Sequence, residues 1–137
     1  MEKLFIDTNI VIDLLSKREP FYLEAQELFT LADEKYVTLY ISALSFVNTH
    51  YILAKQLNAD VARKILSKFK TLVTVLSLDD KAIELSLASD FSDFEDAIQY
   101  YIALDNNIDV IITRNKKDFK KSMLPVLNAK EYLSRKS

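Results

Sequence analysis

A chain of 137 residues without a single glycine has few ways to turn. Glycine enters the left-handed backbone region at no steric cost, and phosphate-cradling loops of the Walker or dinucleotide type need it for positive φ and close backbone approach. Nucleotide sites of that kind are excluded. The same absence leaves asparagine as the residue best able to take the left-handed turn that ends a helix. Asn58 and the pair Asn106-Asn107 stand where helical periodicity stops, so helices are expected to end there.

The missing side chains narrow the chemistry further. Without cysteine there is no thiolate nucleophile, thiolate-held zinc or iron–sulfur cluster, and a lone His50 excludes a multi-histidine metal site. A resident metal has to sit among oxygen ligands, which favours Mg²⁺ or Mn²⁺ over zinc or copper. The length suits one domain over residues 1–137. A domain of this size buries roughly 68% of the surface its unfolded chain exposes and needs no disulfide to hold it.

The N-terminal Met1-Glu2-Lys3-Leu4-Phe5-Ile6-Asp7 meets a carboxylate before a signal-length apolar segment develops, and a cytoplasmic location is expected. Residues 36–54 carry no formal charge and are nearly long enough to span a bilayer. They include Thr38, Ser42, Ser45, Asn48, Thr49 and His50, and their period changes midway from alternation to helical spacing. A buried strand followed by a helix explains them, with no membrane partner.

Strands alternate with helices along the chain. Residues 4–6 form a short apolar strand ending at Asp7; residues 9–15 and 20–33 have helical spacing, Pro20 suiting a first turn. Alternation over 37–41 predicts a second strand, and Ser42 caps a helix to about residue 56. A helix over 59–70, a strand over 72–76, a helix over 79–89 and a strand over 108–112 follow. Residues 124–127 fit an edge strand, because Pro125 cannot donate to a central ladder. The pattern predicts a three-layer α/β/α fold with a mostly parallel central sheet of four or five strands. Reactive groups in such folds collect at the carboxyl ends of the strands.

Acidic and amide side chains gather at the strand-to-helix junctions. Asp7 ends an apolar strand, where a carboxylate can face the crevice or serve only as a helix cap. Asp93 and Asp96, three residues apart, fall on one helical turn, as a shared cation site needs. For Asp93 and Glu95 capping is the preferred reading, Ser92 with Glu95 forming a capping box. Asp96 borders the expected core stripe of Ala97, Ile98, Tyr101 and Ile102. Asn115 and Asp118 follow the strand over 108–112, and an asparagine cap with a nearby acid describes them equally well. Arg114, Lys116, Lys117, Lys120 and Lys121 form a basic cluster that is either solvated surface or a hold on a phosphate backbone. The net charge of −2 does not exclude a nucleic-acid partner. His50 reads as structural.

Three segments in order, Phe5-Ile6-Asp7-Thr8-Asn9-Ile10-Val11-Ile12-Asp13, Asp93-Phe94-Glu95-Asp96-Ala97 and Ile111-Ile112-Thr113-Arg114-Asn115 leading to Asp118-Phe119, resemble the PIN-domain family. The length is similar to that of the single-domain VapC-type ribonuclease toxins of bacterial toxin–antitoxin modules. The resemblance implies a Mg²⁺- or Mn²⁺-dependent endoribonuclease acting on RNA, paired with an antitoxin and often homodimeric. It implies Asp7, Asp96 and Asp118 as the catalytic, metal-holding acids and Asp93 as a further metal-site acid. Thr8, Asn48, Thr113 and Asn115 become supporting polar groups, and Arg114, Lys116 and Lys117 the hold on RNA. In the family pattern the helix after the second strand supplies a glutamate; here the matching position is Asn48.

Two other readings compete. A catalytically silent PIN-like module that binds RNA or protein is favoured by Asn48. A haloacid-dehalogenase-like phosphatase also has an aspartate after its first strand, but needs a second one two residues on. Asn9 stands there, and an amide cannot be a general acid and base.

Overall fold

The computed structural model describes residues 1–136. Apolar runs make the two strands at the centre of the sheet: β1 (Glu2–Ile6) carries Leu4, Phe5 and Ile6, and β4 (Val110–Ile112) is apolar throughout, all of these side chains buried. Such uninterrupted runs are what a parallel strand covered on both faces requires. β2 (Val37–Ser42) lies on the other side of β1, followed outward by β3 (Thr74–Leu76), and β5 (Val126–Leu127) forms the opposite edge beside β4. The sheet order is β3-β2-β1-β4-β5 with every pairing parallel, Phe5 standing opposite both Tyr40 and Ile111.

This order fixes where the helices go. The chain moves outward from β1 to β2 to β3, through α1 (Thr8–Leu15) and α2 (Tyr22–Asp33), then α3 (Ala43–Gln56) and α4 (Ala59–Phe69). It then jumps back across the sheet to β4 through α5 (Asp80–Leu87) and α6 (Phe94–Asp105). With right-handed crossovers, reversing direction puts the returning helices on the opposite face. The core divides accordingly. Leu4, Ile6, Leu39, Ile41, Val110 and Ile112 pack with Ile10, Leu28, Leu53 and Leu66 of the first four helices and with Tyr132 of α7 (Ala129–Lys136). Phe5 and Ile111 point the other way, against Ala82 of α5 and Ile98, Tyr100 and Ile102 of α6. Outside the carboxyl ends of β1 and β4, where the winding reverses, lies the crevice in which α/β sheets bind ligands.

Three-layer architecture and parallel sheet agree with the sequence, and several local expectations need correction. Pro20 lies in the turn before α2, and not within its first turn. Residues 70–72 make a short 3₁₀ helix (Lys70–Leu72), so the third strand covers only Thr74–Leu76. On α6, Gln99 and Tyr100 are buried while Tyr101 is only partly so, because this helix is covered by both the sheet and α5. Asn58 starts α4 from an extended conformation, its side chain accepting the Val61 N–H at 2.9 Å.

Of the left-handed positions, only Asn107 was expected; Lys17 and Lys35 are the others, at φ 56°, 50° and 65° respectively. Each ends a helix with a paired closure. At Lys35, Tyr36 N–H donates to Leu31 and Lys35 N–H to Ala32, at 2.9 and 3.0 Å. These bonds satisfy carbonyls the helix leaves open, and they hold two lysines in a conformation that costs a non-glycine residue about 1–2 kcal/mol. Pro125 stands just before β5, its carbonyl accepting from Ile111 at 2.9 Å. No helix among the described residues is long and apolar enough to cross a membrane.

Candidate active site

Asp7 is both a cap and a cleft residue. Its backbone N–H continues the ladder to Ile112 at 3.0 Å, and Oδ1 accepts the Thr8 N–H at 2.8 Å to start α1. Oδ2 accepts from Thr113 Oγ1 at 2.8 Å and from Asn9 Nδ2 at 3.4 Å. Thr113, fully buried at the end of β4, also accepts from Asn9 Nδ2 and from the Asn115 N–H, at 3.3 and 3.1 Å. Hydroxyl and amide donors thus hold the carboxylate, with no lysine or arginine paired to it among the described residues. Burial is the largest influence and raises the Asp7 pKa; the Thr113 and Thr8 donors lower it, and the charges of Asp118 and Glu95 raise it again. Asn9 is committed to this network, which removes it further from acid–base work.

Asp96 arrives from the opposite face. Asp93 caps α6, its Oδ1 accepting the Asp96 N–H at 2.9 Å, and this fixes the first turn in which Asp96 projects. Asp96 is half-buried, and its pKa is pushed up to about 7, first by desolvation and then by Asp93, Asp118, Asp7 and Glu95. Asp118 lies in a 3₁₀ turn (Lys116–Phe119) after β4, pinned by the buried Phe119 and by its own N–H to Asn115 at 3.0 Å. It is exposed at the cleft rim.

A cleft of about 390 Å³ brings these segments together, lined among others by Asp7, Thr8, Asn48, Asp96, Asn115 and Asp118. Hydroxyls brace it, Thr8 from the lining and the buried Ser42 and Ser45 from behind. Thr8 and Ser45 share a 2.5 Å hydrogen bond, Ser42 caps α3 through the Ser45 N–H, and Ser42 Oγ donates to Gln99 at 2.5 Å. These contacts tie α1, α3 and α6 to one another around the cleft.

Glu95 is the acid that sequence reasoning misassigned. The cap of α6 is Asp93, so no Ser92–Glu95 capping box forms. Glu95 instead lines the cleft and accepts from Asn48 Nδ2 at 2.9 Å. Its position next to Asp96 was the only signal. Gln99 and Tyr51 are further lining residues that the motifs did not single out, and Asn9 of the first motif lines it too. Asp93 does not line the cleft, though its charge acts on Asp96.

The basic cluster is largely spoken for. Arg114 turns away to the other side of α1, where Nε and Nη2 meet the two oxygens of Asp13 at 2.7 and 3.2 Å and the guanidinium lies 4.1 Å from the Phe21 ring. Lys116 pairs with Glu131 and Lys121 with Asp90, at 2.8 and 2.6 Å. Lys117 and Lys120 have no ion-pair partner among the described residues and border a depression of about 190 Å³ that Asp118 also lines. His50 lies outside the cleft, between α3 and α4.

The donor set suits a hard divalent cation. It consists of carboxylate and amide oxygens, and no Lys or Arg among the described residues pairs with Asp7, Glu95, Asp96 or Asp118. Among the described residues no three acidic or histidine side chains stand close enough to enclose an ion directly. A small cation that keeps several of its waters does not need such a cage.

A PIN-domain sequence model matches residues 3–117. Ribonuclease VapC1 of Aquifex aeolicus (strain VF5) is 30% identical over 143 residues, an alignment covering 98% of this chain and 95% of that one. Among solved structures, a toxin–antitoxin complex from Klebsiella pneumoniae aligns with a TM-score of 0.69 at 25% identity, covering 92% of this chain and 97% of its counterpart. DNA-bound VapBC from Salmonella typhimurium aligns at 0.70 and 18% identity, over 94% and 99% of the two chains, a likeness of fold.

Proposed function

The chain belongs to the PIN-domain family, and from that premise we propose that it is a VapC-type endoribonuclease, the toxin of a toxin–antitoxin pair. The observation that carries this reading is the arrival of Asp7, Asp96 and Asp118, from three separate segments of the chain, in one cleft where none of them has an ion-pair partner among the described residues. Two carboxylates about 5 Å apart repel by roughly 3 kcal/mol at an effective dielectric near 20, so such a group is stable when it holds a cation or a proton. Asp7, Asp96 and Asp118 hold Mg²⁺ or Mn²⁺ in this proposal, with Asp93 adding negative charge behind Asp96. When bound, the ion supplies Lewis acidity toward a phosphodiester and lowers the pKa of water.

The protein's own part is orientation. Thr113 and Thr8 fix the Asp7 carboxylate, Asn115 braces Thr113, and the Asp93 cap aims Asp96. Lys117 and Lys120, free of ion-pair partners among the described residues, draw the RNA backbone toward the Asp118 rim. Arg114 takes no part, since Asp13 and Phe21 hold it away from the cleft. A protein antitoxin and a cytoplasmic site of action follow from the same kinship, since the Klebsiella pneumoniae relative is a toxin–antitoxin complex.

Asn48 favours a second reading, a silent module that binds RNA without cutting it. A Mn²⁺-dependent RNA cleavage assay separates the two. Asp96→Asn is expected to abolish cleavage while changing the melting temperature little. Wild-type protein that binds RNA but never cuts it would establish the silent module, and equal loss of fold and activity in the variant would reduce Asp96 to a structural group.

A further inference from the structure

The family pattern expects a glutamate where this chain has Asn48, and the departure removes one negative charge from the cleft. The charge has a neighbour that restores it. Asn48 sits on α3, facing the first turn of α6, and its amide nitrogen donates to Glu95 Oε1 at 2.9 Å. Both residues line the cleft. We propose that Glu95 supplies the carboxylate the family draws from the helix after the second strand, with Asn48 as the positioning residue that holds it over the cleft. This inference rests on the metal-dependent ribonuclease reading.

Several observations bear on it. Glu95 Oε2 makes no hydrogen bond, and no lysine or arginine pairs with Glu95, among the described residues. One oxygen is therefore held and the other is free to face an ion or its water. Glu95 is also near enough for its charge to act on both Asp7 and Asp96, from the two opposite sides of the sheet. The amide at position 48 is what makes this possible: a glutamate there would set two carboxylates against each other where a donor and an acceptor now meet. Asparagine at 48 and glutamate at 95 are thus a matched pair, and the cleft keeps its full count of acids with one of them moved across to α6.

The test is a Mn²⁺ titration by calorimetry on wild type, Glu95→Gln, Asn48→Glu/Glu95→Gln and Asp7→Asn, with thermal melting of each variant as the control for folding. Glu95→Gln keeps the shape and an oxygen to accept from Asn48 but removes the charge, and is expected to weaken Mn²⁺ binding about 10- to 100-fold. The double variant moves the charge to α3 and is expected to recover most of that loss. Unchanged affinity in Glu95→Gln, with affinity lost in Asp7→Asn, overturns the role of Glu95 and leaves the metal reading standing. A double variant no tighter than Glu95→Gln overturns the exchange between the two positions. If Asp7→Asn also binds as wild type does, both readings fall together.

Discussion

Two aspartates on one short helix meet opposite fates. Asp7 caps α1 and faces the cleft; Asp13, six residues on, is fully buried on the far side of the same helix. Their partners come from consecutive residues leaving β4. Thr113 reaches Asp7 with a hydroxyl at 2.8 Å, and Arg114 reaches Asp13 with two guanidinium nitrogens at 2.7 and 3.2 Å. Successive side chains of an extended segment point to opposite sides, so one strand end serves both acids. The difference lies in charge compensation. Asp13 is neutralised where it stands and belongs to the architecture, whereas Asp7 is desolvated with only neutral donors and keeps a raised pKa. A carboxylate desolvated without a counter-ion costs stability until it takes up a proton or a cation.

Exchanging each acid for its amide is the sharpest way to break this comparison. Asp7→Asn keeps the cap, because asparagine is as good an N-cap as aspartate, yet removes the charge. RNA cleavage and Mn²⁺ binding should fall below detection while the melting temperature holds or rises. Asp13→Asn should do the reverse, leaving Mn²⁺ affinity intact and lowering the unfolding free energy by about 1.5–3 kcal/mol in a urea titration, since it removes the counter-charge of the partly exposed Arg114 guanidinium. Loss of stability in the first variant and of metal affinity in the second would invert the assignment.

The pH dependence of stability reads the same asymmetry at smaller scale. Asp96 titrates near 7 in the folded protein against an ordinary 3.8, and Asp7 is shifted in the same direction. Between those values the folded state binds more protons than the unfolded one, so stability falls as pH rises. In EDTA the melting temperature should climb as pH is lowered from about 8 toward 5, and saturating Mn²⁺ should stabilise most at the alkaline end. A flat profile in EDTA would mean that neither burial nor the neighbouring charges raise these acids as described. The smallest effect belongs to Arg18, half-exposed and 4.0 Å from Asp13. Arg18→Ala should cost about 0.5 kcal/mol, because an exposed partner adds little to a pair that Arg114 already completes.

The sequence carried the strand-to-helix junctions, since they follow from apolar runs ending in capping residues, and with them the positions of Asp7 and Asp118; Asp96 lies instead at the junction between α5 and α6, where the Asp93 cap marks the helix start. Long-range pairing was not legible. Arg114 stands beside the motif in sequence, but its partner Asp13 lies 101 residues away, and nothing local predicts that the guanidinium turns from the cleft. Glu95 was hidden for another reason: an acid in the first turn of a helix suits the macrodipole whether or not it has a duty elsewhere. Lys17 and Lys35 escaped notice because side-chain preference points to asparagine for left-handed turns, and only the closing hydrogen bonds reveal where the chain accepted lysine instead.

Where a divalent ion settles decides between the two aspartates most directly. Crystals grown with Mn²⁺ and measured for anomalous scattering should place the ion in the cleft between Asp7 and Asp96, within reach of Asp118. An empty cleft at saturating Mn²⁺, or a peak beside Asp13 instead, would contradict it.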